Sequence, residues 1–201
     1  DPAGPAARTI ATLWWVMLAG AALILGFVLV LLALTFRRRD HAGDEAAHER
    51  LFVVRLGIAF PVVVLLALLA YGLVVGERLL PRERPDVVRV SAEGRLSAWV
   101  FGYDDLPGHT SENILHIPAG RPVDVAITTV DVIHSFWVPR LAGKLDAIPG
   151  HVNVLRLEAD RPGTYAGRSA EFSGPGYDRF DFSVVALDPA GWEEFLKGEL
   201  P

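Results

Sequence analysis

The chain has no cysteine in its 201 residues, so no disulfide can brace it and no thiolate can hold a soft metal. That absence fits an exported domain without disulfides, although it does not by itself set the compartment. The net charge is -5 and no basic patch with interleaved aromatics occurs, so nucleic acid is not an expected partner. No secretory signal with an A-x-A-like cleavage site is visible; if Asp1 is a processed end, the removed residues are missing from the chain. Gly174-Pro175-Gly176 is not a phosphate loop, because no Lys/Ser pair follows and no helix is expected to open there; its composition is that of a tight turn. His109, His116 and His151 lie in separate segments without ligand-like spacing, and no Ser-His-Asp arrangement is supported.

What is abundant is apolar sequence, and it is unevenly placed. Hydrophobic residues make up 51% of the chain and mean hydropathy is +0.33, too apolar for an ordinary soluble domain and too polar for a pure membrane bundle. After a Pro/Gly-rich lead-in from Asp1 to Ala7, the run from Leu13 to Phe36 carries no charge. At 1.5 Å per residue it forms roughly 36 Å of helix, enough to cross a bilayer with some tilt. Trp14 and Trp15 anchor one end and Arg37, Arg38 and Arg39 stop the other. A charged loop from Asp40 to Arg50 leads to a second run, Leu51 to Val75, in which Arg55 is the only charge and Pro61 is expected to kink the helix. Two spans joined by a short loop predict an antiparallel transmembrane hairpin. The arginines of the loop favour a cytoplasmic side for it, which puts the downstream domain and both termini outside.

A Pro/Arg-rich linker from Glu77 to Asp86 separates the hairpin from a region of period two. Strands are predicted at Val87 to Val90, Leu96 to Tyr103, Pro122 to Thr129, Val152 to Glu158 and from Phe180 to Ala186. In the third, Val123, Val125, Ile127 and Thr129 share one face. Short strands between Gly/Pro turns predict a β-sandwich. Trp99, Phe101 and Tyr103 read as a half-buried strand face. Asp188-Pro189 then reads as an N-cap and first helical residue, and Trp192, Phe195 and Leu196 recur at helical spacing in a short closing helix. The predicted organisation is residues 1–80 for lead-in and hairpin (spans 13–36 and 51–75), 81–187 for the sandwich and 188–201 for the helix.

Two stretches carry more specific information. One is Asp131-Val132-Ile133-His134-Ser135-Phe136-Trp137-Val138-Pro139. The other is Gly167-Arg168-Ser169-Ala170-Glu171-Phe172-Ser173-Gly174-Pro175-Gly176-Tyr177-Asp178-Arg179-Phe180. With Gly143-Lys144-Leu145-Asp146-Ala147-Ile148-Pro149-Gly150 between them, they resemble subunit II of the haem-copper respiratory oxidases. The resemblance implies a cupredoxin-like Greek-key sandwich on a two-helix anchor. In the cytochrome c oxidases of that family the loop carries C-x-E-x-C and then G-x-x-H-x-x-M, which with the upstream histidine build the dinuclear CuA centre. Here the cysteine positions hold Ser169 and Ser173, the histidine position Tyr177 and the methionine position Phe180, so His134 is the one side-chain ligand kept. A mixed-valence copper pair needs bridging thiolates, and a serine hydroxyl is a poor ligand for Cu(I). The Ser-Gly-Pro-Gly-aromatic loop is similar to the copper-free quinol-oxidase branch, while His134, Asp146 and Glu171 are similar to the cytochrome c branch.

The resemblance further implies that electrons do not pass through this domain. The exposed aromatic through which cytochrome c delivers electrons, two residues before Trp99, is Ser97 here. A glutamate that the family usually places about two turns before a proline in the second span, near a proton path of subunit I, is Val54. Glu171 is implied at a Mg/Mn site shared with subunit I, where a carboxylate suits a hard ion. The expected function is subunit II of a bacterial terminal quinol oxidase, non-catalytic and with no redox centre or cofactor of its own. Haems and a copper are then expected in subunit I, with subunit I, subunit III and lipid as partners and quinol bound through the partner. The expected location is the inner membrane, multi-pass, with the C-terminal domain on the periplasmic side. The alternative is a copper-free structural subunit of a related complex, such as a cytochrome c oxidase variant or a nitric oxide reductase.

Overall fold

The structure, a computed structural model, describes residues 1–37 and 50–199. The charged loop expected from Asp40 to Arg50 therefore lies outside the described residues, Arg50 excepted. Contacts divide the chain into two units, Thr12–Arg78 on one hand and Asp1–Ala11 with Leu79–Pro201 on the other.

The first unit is helical. Helix α1 spans Pro5–Arg37. A π-helical segment, Arg50–Ala59, runs directly into helix α2, Phe60–Leu79. Both are long and apolar enough to cross a membrane, and almost none of their apolar surface is buried within the chain. Hydrophobic surface left this open in water would cost about 25 cal/mol per Å², so these helices suit a lipid surrounding. Phe27 and Phe60 meet at 6.4 Å between ring centroids. Pro61 marks a change of helix type: lacking an N–H and crowding the preceding turn, it cannot extend the hydrogen-bond ladder through that point, and the wider backbone precedes it.

The lead-in is shorter than the sequence reading gave it. Helix α1 begins at Pro5, where a fixed φ suits the first helical position, and Ala6 and Ala7 propagate it. The segment before it and the first helical turn dock on the sandwich through Ala3 N–H to the Arg140 carbonyl (2.7 Å), Ala7 N–H to the Leu141 carbonyl (3.1 Å) and Asp160 N–H to the Ala3 carbonyl (2.9 Å). Gly4 permits this approach: a Cβ there would stand 2.2 Å from the Glu158 carbonyl oxygen.

The second unit is a sandwich of two five-stranded sheets. One has the order β3-β2-β1-β5-β8, built from β1 (Val88–Arg95), β2 (Ala98–Tyr103), β3 (Thr110–Glu112), β5 (Val123–Thr129) and β8 (Asn153–Leu157). The other has the order β4-β10-β9-β6-β7, built from β4 (Ile114–Pro118), β6 (His134–Trp137), β7 (Lys144–Ala147), β9 (Gly163–Ser169) and β10 (Asp181–Leu187). The pairs β1·β5 and β4·β10 are parallel and the others antiparallel, the crossed connectivity of a Greek key. Strand β5 alternates as the sequence predicts, with Val123, Val125, Ile127 and Thr129 inward.

Strand β1 runs to Arg95, further than expected. Leu96 and Ser97, expected to open the next strand, form instead a two-residue turn between paired Arg95 and Ala98. The closing helix, α3 (Pro189–Leu196), is capped as predicted: the Asp188 carboxylate accepts from Gly191 N–H, and Trp192 and Phe195 are buried. Phe195, distant in sequence, packs against two histidines. His116 stacks on its ring at 4.7 Å and His109 meets its edge at 5.3 Å. Burial, and secondarily His109, hold the His116 imidazole below its ordinary pKa.

Candidate functional site: a sandwich end without soft ligands

Strand β6 begins at His134 and turns alternate side chains into the core, so His134 and Phe136 face inward. Opposite Phe136 in the ladder stands Ser169, the last residue of β9, which brings the two sequence stretches together. The Ser169 N–H donates to the Phe180 carbonyl (2.8 Å) and Ala170 N–H to the Ser135 carbonyl (2.9 Å), fixing both ends of the loop between β9 and β10 to the same edge.

His134 is fully buried, and its Nε2 donates to Asp131 Oδ1 at 2.8 Å. The same oxygen accepts from Thr129 Oγ1 (3.0 Å) and Val132 N–H (2.6 Å). Burial works against the Asp131 carboxylate, but these donors, His134 first, hold its pKa below the ordinary carboxylate value. Nothing in the sequence reading gave Asp131 this role. Its place three residues before the histidine, in a turn, is the signal that could have found it. His134 Nδ1 and Ser169 Oγ are buried with no hydrogen-bond partner among the described residues.

The remaining positions do not converge on these atoms as ligands. Phe180 turns inward, edge-on to His134 at 5.3 Å and stacked on Trp99 at 5.8 Å, so an apolar ring covers the imidazole. Tyr177 lies in a 3₁₀ turn, Tyr177–Arg179, after the left-handed Gly176, and its partly exposed ring packs against Phe172 at 5.1 Å. Ser173 sits half-buried in the loop between them. One imidazole nitrogen, two hydroxyls and a phenol give no bridging thiolate, so this donor set does not fit a dinuclear copper centre. Among the described residues no three His, Cys, Asp or Glu side chains cluster in a way that could hold a metal ion. Glu171 uses Oε1 to accept from Phe172 N–H at 3.0 Å, and a hard ion here needs its other ligands from another chain.

Around this end of the sandwich the surface is apolar. Leu96, Val130, Val132, Ile133, Phe172 and Tyr177 are all exposed, Phe172 at 72%. They sit on the β1–β2 turn, the loop before β6 and the loop after β9, all of which reach the same end.

Geometry thus defines a class: a cupredoxin-like sandwich on an apolar two-helix anchor, with the metal end of the fold rebuilt from hydroxyls and aromatic rings. The model of the cytochrome c oxidase subunit II periplasmic domain matches residues 104–186. A cytochrome c oxidase subunit 2 of Alkalihalophilus pseudofirmus is 32% identical over 98% of this chain, and quinol oxidase subunit 2 proteins of Bacillus cereus and Bacillus subtilis are each 28% identical over 98%. The chain spans 60% of the first relative's length and 71% and 64% of the other two. The periplasmic domain of cytochrome oxidase subunit II of Bradyrhizobium japonicum has the same fold, with a TM-score of 0.53 at 19% identity over 59% of this chain and 96% of that one. A chain of a haem-copper terminal oxidase dimer also shares it, with a TM-score of 0.52 at 21% identity over 67% and 99%. The chain is thus similar to subunit II of the haem-copper respiratory oxidases, in its outer domain by the family model and along 98% of its length by these relatives.

Proposed function

We propose that this chain is the structural subunit II of a bacterial terminal quinol oxidase, a proton-translocating complex that passes electrons from quinol to oxygen, and that it carries no redox centre of its own. One observation carries the reading: the thiolate, histidine and methionine positions of the CuA loop hold Ser169, Ser173, Tyr177 and Phe180, and Phe180 packs where a ligand would reach His134. Haems and copper then belong to subunit I, and quinol is oxidised at a site in that partner. Residues 13–36 and 51–75 cross the inner membrane as a multi-pass anchor, with the sandwich on the periplasmic side. The apolar end around Ile133 and Phe172 is the surface that caps subunit I, with subunit III completing the assembly. A contiguous apolar surface rimmed by polar residues is what such a contact requires. Metal analysis tests this directly. The purified complex is expected to hold only the copper of the subunit I centre; two further coppers with near-infrared CuA absorption would overturn the reading.

Glu171 is proposed to contribute to the interface with subunit I and to a Mg or Mn ion held there. Glu171→Gln should lower Mn occupancy or weaken subunit association while thermal unfolding of the domain stays within about 0.5 kcal/mol of the parent, as for other loop sites outside the core. Occupancy and association both unchanged would remove the role.

A second reading has its own support. His134, Asp146 and Glu171 match the cytochrome c branch, and the Alkalihalophilus relative is a cytochrome c oxidase subunit. In that reading the chain is a copper-free structural subunit of a cytochrome c oxidase variant or of a nitric oxide reductase. The haems of the partner that copurifies separate the two.

A further inference from the structure

Four residues along β9 from Ser169, Tyr165 helps line a polar cleft of about 470 Å³ together with Ala3, Arg8, Arg140, Asp160 and Arg161. Its cations are unequally engaged. Arg8 is held by a two-pronged pair with Asp160. The Arg140 guanidinium lies over the Tyr165 ring, 5.4 Å from the centroid, and donates through Nε to the Asp1 carbonyl at 3.0 Å. Its approach to the Asp1 carboxylate is loose, 3.6 Å, and that carboxylate is 90% exposed. Arg161 contributes its carbonyl to the Tyr165 hydroxyl at 2.7 Å, and its guanidinium makes no ion pair among the described residues. Glu158 adds a carboxylate near Arg8. Arg140, oriented by an aromatic face, and Arg161 thus both line the cleft, and planar guanidinium forks match the oxygens of a phosphate.

The sequence says where this cleft meets the membrane. Arg8 precedes Leu13, the first residue of the uncharged run, by five residues of continuous helix. That is roughly 7.5 Å along the axis, against a headgroup layer of about 5–7 Å on each side of the hydrocarbon. Trp14 and Trp15, both exposed, occupy the aromatic belt at that boundary.

We propose that the cleft binds the phosphodiester of an acidic phospholipid headgroup from the outer leaflet, gripped between Arg140 and Arg161. The inference rests on the outward placement of the domain at the membrane. It makes the site a lipid-dependent brace between the start of α1 and the sandwich.

The test uses the full chain in its complex, extracted in mild detergent. Parent, Arg161→Gln and Arg140→Gln/Arg161→Gln forms are compared for phosphatidylglycerol retained per complex by mass spectrometry, after exchange into phosphatidylcholine micelles. Retention should fall about tenfold in the double variant, the scale of losing charge-assisted hydrogen bonds, and by less in Arg161→Gln. Arg95→Gln, at the end of β1, should change nothing. Inorganic phosphate should not displace the lipid. Equal retention in parent and double variant overturns the inference, and so does displacement by phosphate alone, which would mark a free-anion site. Thermal unfolding of each variant checks the fold; should the double variant unfold, Arg161→Gln, at an exposed position, supplies the comparison. Membrane fractionation separates the two readings: chains absent from the membrane pellet refute the placement, whereas chains present there with unchanged lipid retention refute only the cleft.

Discussion

Oxygen consumption by the purified complex should be fast with a reduced quinol and near background with reduced cytochrome c. A quinol delivers electrons from within the membrane, so an outer domain that caps subunit I need not conduct. Cytochrome c would dock outside and require a relay. Ser97, in the exposed turn after β1, stands where an entry aromatic would sit, and Ser169 and Ser173 stand where the thiolates would bridge copper. Electron tunnelling falls steeply with distance, and the sandwich between donor and haem would then act as an insulator. Neither apolar helix offers a cluster of polar groups that could orient a quinone head; Arg55 is the one charge inside either run. The quinone site is accordingly expected in the partner. Fast turnover with cytochrome c and none with quinol would refute the proposed function and require an electron path through residues that carry no redox group.

The largest single effect on stability is expected from Trp99→Ala. Trp99 is fully buried at the centre of the aromatic core, with Phe136 at 5.3 Å, Phe180 at 5.8 Å, Phe182 at 5.9 Å and His134 at 6.1 Å. Truncation opens a cavity that surrounding rings, locked by both sheets, cannot fill, at a cost of about 3–5 kcal/mol. At about 4 °C per kcal/mol for a domain of this size, that is a fall in Tm of roughly 12–20 °C. Trp99→Phe keeps most ring contacts and also removes an indole N–H that has no partner among the described residues, so it should cost clearly less. Thermal unfolding of the full chain in detergent, followed by the β-sheet circular dichroism, measures both. A Trp99→Ala loss below about 1 kcal/mol would mean that the core repacks far more freely than close-packed interiors do.

Much of this was legible because pattern and physics agree locally. Strand β5 alternates cleanly since one face meets the core, and Asp188-Pro189 announces helix α3 because a cap and a fixed φ are short-range devices. The loop positions 169, 173, 177 and 180 were legible only through the resemblance to the family's copper loop. Strand β9 was not foreseen: Gly163, Gly167 and Ser169 carry almost no apolar signal, and Gly167 is small because a Cβ would come within 2.2 Å of the Phe182 ring. Strand β4 buries Leu115 to Pro118 without alternation, so period two is invisible there. The apolar end of the sandwich and the packing of His109 and His116 on Phe195 depend on which segments reach the same place, and that is a property of topology rather than of any window of sequence.

The docking of residues 1–11 on the sandwich has a consequence for how the protein is made. Arg8 and its partner Asp160 are 152 residues apart. At a synthesis rate of about 5–20 residues per second, residues 1–11 wait roughly 8–30 s for the surface that receives them. Gly4 must stay undocked, and the Arg140–Leu141 backbone must then fold with that surface still open, before residues 1–11 can close on it. The docking of residues 1–11 therefore joins segments made more than 150 residues apart. Any factor that binds the early segment in the interval would hold the outer domain in an unfinished state.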